Sequence, residues 1–160
     1  MQQELERRRL SYKLDDTDRE ILRLYQKDAS VSYRELGEFL DLAPTTIFDR
    51  IKQMKKAGVI KLFIPVLDME QLGLGTTAWI QVKTAPDRDC CQVADSIANN
   101  PDVMEVHEIA GAYDLLVKVK AKSNLHYHNI SDGISKIDGV QDTVSTISLR
   151  TVKEDMRPNI

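Results

Sequence analysis

The sequence predicts an α+β chain in which a small helical domain precedes a domain that alternates strands and helices. As far as Gly58, apolar residues recur at the three- and four-residue spacing of amphipathic helices. From Thr76 onward, stretches of alternating apolar and polar residues take turns with helical stretches. The 160 residues suffice for two small domains, so the two patterns can belong to separate cores.

Residues 33–58 predict two short helices with a tight break between them. Each helix carries an apolar stripe, formed by Leu36, Phe39 and Leu40 in the first and by Ile47, Ile51 and Met54 in the second. Pro44 suits the first position of the second helix, and Gly58 suits its C-cap. Because the second helix and the residues after it are rich in lysine, the segment is typical of a DNA-binding helix-turn-helix.

Another helix is predicted ahead of this motif, and a polar extension ahead of that helix. Residues 15–18 place acids where they can cap the free N–H groups of a first turn. Ser32 and Glu35 have the spacing of a capping box for the helix that follows. Residues 1–13 form the N-terminal extension, helical or frayed. Its arginines could alternatively contact DNA phosphates; they are Arg7, Arg8 and Arg9.

The predicted helix-turn-helix domain covers residues 14–58, and a linker strand is predicted over residues 59–75. Its first half is mostly apolar, but Pro65 lacks the N–H that a central strand donates. An edge strand or a plain linker is therefore expected. Gly73 and Gly75 mark the turn into the next domain.

The second predicted domain covers residues 76–155 and has the order β-α-β-β-α-β. Its strands are expected at residues 76–84, 103–110, 115–119 and 144–152, and its helices at residues 88–100 and 125–137. This order is that of a ferredoxin-like sandwich, an antiparallel four-stranded sheet with both helices on one face.

The other face of that sheet is predicted to be open. Trp79, Leu116 and either Thr146 or Ile147 would lie on it. Packing against the same face of a second copy predicts a two-fold dimer. Two recognition helices would then meet two half-sites of a palindromic operator in double-stranded DNA. The alternative is that the linker strand or the helical domain covers this face.

Charge and composition favour DNA contact by the N-terminal half of a cytoplasmic protein. The net charge of −3 divides into +2 for residues 1–64 and −5 for residues 65–160. No apolar run is long enough to span a bilayer and no signal peptide is recognisable, so no membrane partner is expected. Cys90 and Cys91 are adjacent, which predicts two reduced thiols on a helix.

An enzyme is not expected from the motifs of this chain. The three histidines lack the helical spacing of a metal pair, and no phosphate-binding or nucleophile motif occurs. We therefore expect neither a metal nor a cofactor. A second alternative, a ligand sensor or assembly protein that does not bind DNA, is mildly favoured by the acidic total charge.

Three segments resemble the Lrp/AsnC (feast/famine) family of transcription regulators. They are LDDTDREIL at residues 14–22, the helix-turn-helix positions Glu35, Leu36, Leu42, Ile47, Arg50, Ile51, Gly58, Val59 and Ile60, and GAYDLLV at residues 111–117. The resemblance extends to about residue 152 and implies a winged-helix-like DNA-binding domain joined by a strand to a ferredoxin-like regulatory domain. It also implies dimers that assemble into tetramers or octamers, with an amino acid bound between subunits. One departure is Ala43, where the family usually has a serine.

The predicted DNA contacts lie on the outer face and flank of the second helix of the motif. They are Pro44, Thr45, Thr46, Phe48, Asp49, Arg50, Lys52, Gln53, Lys55 and Lys56. The threonines would contact bases and the lysines phosphates, unless the lysines only form a solvated surface. Arg50 could bind a guanine or a phosphate, or pair with Asp49. Phe48 could meet a thymine methyl or pack beneath the preceding helix.

By the resemblance, the turn at residues 111–114 lines the effector pocket. The predicted effector-binding residues are Gly111, Ala112, Tyr113, Asp114, Thr146 and Ser148. Tyr113 would supply an apolar wall and a hydroxyl, and the last strand further polar groups. Asp114 would receive the ammonium of the amino acid, or else only stabilise the turn.

Overall fold

The computed structural model describes residues 12–160, so the predicted arginine arm lies outside the described residues. The chain divides into two compact units. One comprises the chain up to Pro65 together with Asp155–Ile160, and the other comprises Val66–Glu154. The division falls inside the predicted linker. None of the helices formed by residues 12–160 has the length and apolar composition needed to cross a membrane.

The first unit contains three helices among its described residues. They are α1 (Asp16–Lys27), α2 (Tyr33–Leu40) and α3 (Pro44–Lys56). Local hydrogen bonds fix where the first two begin. The N–H of Asp18 donates to the carboxylate of Asp15, and the Asp15 N–H donates back to the Asp18 side chain. Ser32 and Glu35 form the same reciprocal capping box at α2.

The two ends of α3 are built differently. Ala43 offers no side-chain oxygen to the free N–H groups at the start, where Pro44 occupies the first turn. At the other end Gly58 has φ 76°, a left-handed conformation that glycine adopts without steric cost. The N–H of Val59 donates to the Met54 carbonyl oxygen at 2.9 Å, which completes a Schellman cap.

The core of the first unit joins the apolar faces of all three helices. Its buried members are Ile21, Leu36, Ile47, Ile51, Met54 and Ile60. Phe39 contradicts the predicted stripe, because its side chain is 70% exposed. The buried face of α2 is centred on Leu36 and Gly37, and Phe39 lies about 100° round the helix from that centre.

The turn between α2 and α3 requires Gly37. A Cβ at this position would lie 2.5 Å from the Leu42 carbonyl oxygen, closer than atoms in contact can approach. The Leu42 N–H donates to the Gly37 carbonyl oxygen at 2.9 Å, and Asp41 takes the left-handed conformation between them. This close contact determines where α3 leaves α2.

The strand predicted within residues 59–75 is wrong, and the alternative of a plain linker agrees with the structure. Residues 59–75 form no strand in the structure, and the sheet begins at Thr76. A strand needs a neighbour for its N–H and C=O groups, and this apolar segment pairs with no other strand of the described chain. Alternation along one segment could not reveal that a neighbour was missing.

The second unit is an antiparallel four-stranded sheet with two helices, in the predicted order β-α-β-β-α-β. Its elements are β1 (Thr76–Thr84), α4 (Cys90–Ala98), β2 (Val103–Glu108), β3 (Leu115–Ala121), α5 (Asn124–Ser135) and β4 (Val140–Ile147). The strands lie in the order β2-β3-β1-β4. This topology confirms the predicted ferredoxin-like fold class.

The last strand lies earlier in the chain than the predicted residues 144–152. It pairs with β1 from Val140, opposite Thr84, to Ile147, opposite Ala78. Because β1 begins at Thr76, residues beyond about 148 have no strand beside them. The position of the partner strand therefore determines where β4 ends.

Both helices of this unit pack on one face of the sheet. The core combines buried residues of the strands and helices, among them Ala78, Ile80, Val82, Val117, Val93, Ile97, Ile130 and Ile134. Trp79 lies on the opposite face beside Lys118, whose ammonium is 5.5 Å from the ring centre. Thr146 shares this face because it pairs with Trp79, whereas Ile147 pairs with buried Ala78.

The C-terminal segment occupies part of this opposite face. The Glu154 carboxylate pairs with the ammonium groups of Lys118 and Lys120. Lys120 is largely buried, and Glu154 is its one ion-pair partner among the described residues. The face is thus less open than the sequence predicted.

Candidate functional site

Helix α3 buries its apolar face and presents its polar residues outward. Thr45, Asp49 and Gln53 are exposed, and Thr46 is half-buried. Thr46, Asp49, Arg50 and Gln53 line a single shallow hollow, which is completed by Tyr12, Lys13, Asp15 and Asp18. We call this depression the α3 hollow. It brings together four of the predicted DNA contacts and does not include Thr45 or Phe48.

The lysines of α3 form an exposed cationic edge. Lys52, Lys55 and Lys56 all have exposed side chains. The ammonium of Lys52 lies 5.8 Å from the Phe48 ring centre, and that of Lys55 lies 4.9 Å from the Phe63 ring centre. These contacts to aromatic faces leave the ammonium groups in water, where a phosphate can reach them.

Arg50 is engaged by carboxylates of the same unit, and not by the predicted Asp49. Its Nη1 donates to Asp15 Oδ2 at 2.6 Å and to Asp18 Oδ1 at 2.9 Å. These two hydrogen bonds, the Asp15 bond first, raise the pKa of Arg50. The pKa of Asp15 is lowered, chiefly by the Asp18 backbone N–H and then by Arg50.

Tyr12 belongs to the same cluster, and no motif in the sequence pointed to it. Its hydroxyl donates to Asp18 Oδ2 at 2.9 Å, and burial raises the pKa of this hydroxyl to about 12. Asp18 is only 2% exposed. The burial of this acid, which calls for a cationic partner elsewhere in the chain, is visible only in the structure.

Phe48 packs against the start of α2 and keeps part of its ring in solvent. Its ring meets that of Tyr33 edge-on, with 5.7 Å between ring centres. The side chain is still 45% exposed. This contact accords with the packing alternative, and the exposed part leaves room for a contact outside the chain.

In the second unit, Asp114 holds the predicted effector turn to the neighbouring strand. Its Oδ2 accepts from the Thr84 N–H and the Thr84 hydroxyl, both at 2.8 Å, and its Oδ1 accepts from Lys83 Nζ at 3.0 Å. These donors, the Thr84 N–H first, lower the pKa of Asp114 to about 2. The carboxylate predicted to receive an ammonium therefore stabilises the turn.

The structure does not gather all six predicted effector residues within one chain. The Asp114 N–H donates to the Val82 carbonyl oxygen, so the turn lies at the Val82 end of β1. Thr146 pairs with Trp79, and the Ser148 N–H donates to the Thr77 carbonyl oxygen. Thr77 and Val82 are five residues apart along β1, and a strand rises about 3.3 Å per residue, so Ser148 is roughly 15 Å from the turn. Gly111 and Ala112 are exposed and Tyr113 is half-buried.

Two family models together match most of the chain. A winged helix-turn-helix DNA-binding model matches residues 14–61, and the model of the Lrp/AsnC ligand binding domain matches residues 77–158. The chain belongs to the Lrp/AsnC family. The resemblance found in the sequence is thereby confirmed.

Relatives cover the Lrp/AsnC chain almost from end to end. The HTH-type transcriptional regulator FL11 of Pyrococcus furiosus is 37% identical over 88% of this chain and 93% of its own length. The structure of AsnC from E. coli matches with a TM-score of 0.84 and 28% identity, over 92% of this chain and 99% of that one.

A further matching structure was solved with a bound ligand. It is a transcriptional regulator of Neisseria meningitidis solved in complex with L-Met, with a TM-score of 0.82 and 28% identity over 90% of this chain and 95% of that one. The matched families are regulators, so this Lrp/AsnC chain is a DNA-binding transcriptional regulator with a ligand-binding domain.

Proposed function

We propose that this regulator binds a palindromic operator through α3, as a dimer or a larger assembly, and that an amino acid bound by the second unit alters its affinity for DNA. The observation that carries the proposal is the surface of α3. Its apolar face is buried in the core, while its outer face combines hydrogen-bonding side chains, one of them the acid Asp49, with lysines that form no ion pair among the described residues. That combination suits base edges and phosphates together.

The DNA contacts divide into two classes. Lys52, Lys55 and Lys56 would neutralise phosphates, because their ammonium groups are exposed and, among the described residues, form no ion pair. Thr45, Thr46, Asp49 and Gln53 would contact base edges, with Pro44 and Phe48 at the border of the interface. The first half of the helix enters the groove, as in other helix-turn-helix proteins.

The effector proposal is supported by the L-Met complex of the Neisseria regulator. In this chain the exposed backbone at Gly111 and Ala112 would hold the charged ends of an amino acid, and Tyr113 would contact its side chain. Because Thr146 and Ser148 lie far from the turn of their own chain, they could join the pocket only from a second copy. In this proposal the pocket is complete only when two copies of the chain associate, so effector binding and association are coupled. A cytoplasmic location follows from the proposed role.

The test is fluorescence anisotropy with a duplex from the region upstream of the protein's own gene and a scrambled duplex of equal composition. We expect tighter binding to the upstream duplex, and a change in affinity with at least one of the twenty amino acids. Isothermal titration without DNA would identify that amino acid. Equal affinity for both duplexes, or heat from no amino acid, would contradict the corresponding half of the proposal.

Matched variants separate the two classes of DNA contact. Lys55→Ala and Lys56→Ala should weaken binding to all duplexes and reduce the slope of log K against log salt by about 0.9 each. Lys27→Ala is the control, since Lys27 is exposed at the end of α1, away from the α3 surface. Thr46→Ala should instead change the preferred base at one position of each half-site.

A further inference from the structure

We infer that Arg50 is a positioning residue, which fixes α3 through Asp15 and Asp18 and contacts neither a base nor a phosphate. The inference rests on the proposed function, because it concerns how the same helix reaches DNA. It also reverses the expectation from the sequence, in which Arg50 was a candidate for binding guanine or phosphate.

Releasing Arg50 from its two acids would be energetically costly. Asp18 is 2% exposed, and Arg50 is its cationic partner at 2.9 Å. Turning the guanidinium toward DNA would leave a buried carboxylate without its counter-charge, which is strongly unfavourable. The Arg50 side chain is itself only 29% exposed, so most of it is covered by the rest of the first unit.

The net charge around Arg50 also disfavours a phosphate contact. Asp15 and Asp18 contribute two negative charges, and Arg50 neutralises one of them. The cluster therefore keeps a net negative charge and does not attract a phosphate. Lys13 lines the same hollow, is exposed and, among the described residues, forms no ion pair. If a phosphate binds beside the α3 hollow, Lys13 is better suited than Arg50 to receive it.

The hydrogen bonds of Asp18 connect α1 to α3. Three donors hold Asp18 in place: the Tyr12 hydroxyl, the Asp15 N–H and the Arg50 guanidinium. Because two of these donors lie ahead of α1 and the third lies on α3, the acid ties the start of α1 to the middle of the recognition helix. Thr46 and Gln53 lie four residues before and three after Arg50, on the same side of α3. Fixing the rotation of α3 at Arg50 therefore fixes both side chains.

The experiment measures the affinity of four proteins for the operator and for a series of operators with one base pair changed at a time. The proteins are the wild type, Arg50→Met, Asp18→Asn and the double variant. We expect Arg50→Met to lose about tenfold in operator affinity, with discrimination reduced at several base pairs together. Adding Asp18→Asn should restore most of that loss, because no unpaired buried charge then remains and the Asp15 carboxylate is exposed to water.

The salt dependence supplies a readout that general loss of structure would not mimic. The slope of log K against log salt should be the same for Arg50→Met and the wild type, since no phosphate contact is removed. A slope reduced by about 0.9, a loss confined to one base pair, or no restoration in the double variant would overturn the inference.

Arg50→Lys keeps the test decisive if Arg50→Met does not fold. Lysine retains the charge that the two acids need but cannot bind a guanine bidentately. We expect wild-type discrimination at every base pair, and loss at one guanine would overturn the inference. A wild type that fails to distinguish operator from scrambled DNA would instead reject the proposed function itself.

Discussion

Each of the two units contains a charged residue that was a candidate for contacting a ligand and that forms bonds within its own unit. In the first unit Arg50 joins two acids that are 35 and 32 residues away in sequence, one of them buried. In the second unit Asp114 accepts mainly from the N–H and hydroxyl of Thr84 on the adjacent strand. The arginine balances a buried charge, whereas the aspartate organises an exposed turn. Their removal should therefore have different consequences.

The largest effect is expected for Arg50→Met. Removing the cation leaves the buried Asp18 carboxylate without a counter-charge. The free energy of unfolding of the first unit should therefore fall by about 2 kcal/mol. Hydrogen exchange of the α1–α3 amides measures this unit. Trp79 is the single tryptophan of the chain and lies in the second unit. The unfolding transition followed by Trp79 fluorescence should therefore be the same in the variant and in the wild type.

Arg34→Met is the matched control for this change. Arg34 pairs with Glu38 on the surface of α2, and both side chains are well exposed. Such pairs contribute little, so amide exchange should stay close to the wild type. If both variants lost the same amount of amide protection, Arg50 would contribute no more to stability than an arginine in a surface ion pair.

A smaller and pH-dependent effect is expected for Asp114→Asn. The carboxyl has a pKa of about 2 in the folded protein against an ordinary value of 3.8. Since the folded value is depressed, its contribution is complete above about pH 4 and is lost as the pH falls through 2. The Trp79 unfolding transition of the variant should lie below that of the wild type at pH 6, and the two should converge near pH 2. A difference that persists unchanged at pH 2 would rule out the carboxylate as its source.

The smallest effect, and one of opposite sign, is expected for Ala43→Ser. The helix α2 begins at a serine whose hydroxyl accepts a backbone N–H, whereas α3 begins at an alanine that cannot. Restoring the hydroxyl should stabilise the first unit by about 0.5 kcal/mol, seen as slower amide exchange in α3. Ala43→Val, which adds volume without an acceptor, is the control and should give no such gain.

Features encoded by neighbouring residues could be predicted from the sequence. The capping boxes at Asp15 and Ser32 are set by residues three positions apart, and the helix starts follow from them. The buried positions of α3 and the two faces of β1 follow from simple periodicity. These are short-range rules, and they were enough for the fold class and the family.

Features that depend on distant partners could not be predicted in this way. The ends of β4 depend on the length of β1, and residues 59–75 lack the neighbour that would make them a strand. The pairing of Arg50 with Asp18 arises only when α1 and α3 are packed together. The role of Asp114 likewise depends on Thr84, 30 residues earlier, lying beside it across the sheet.

The Asp114 network also bears on the thermodynamics of effector binding. The Thr84 and Lys83 donors hold one end of the turn in the folded protein. The conformational entropy of that backbone is therefore lost when the protein folds, and not when the effector binds. An amino acid that binds at Gly111 and Ala112 would meet groups that are largely in place. Its affinity would then depend on contacts and desolvation, because the entropic cost of ordering the turn on binding would be small.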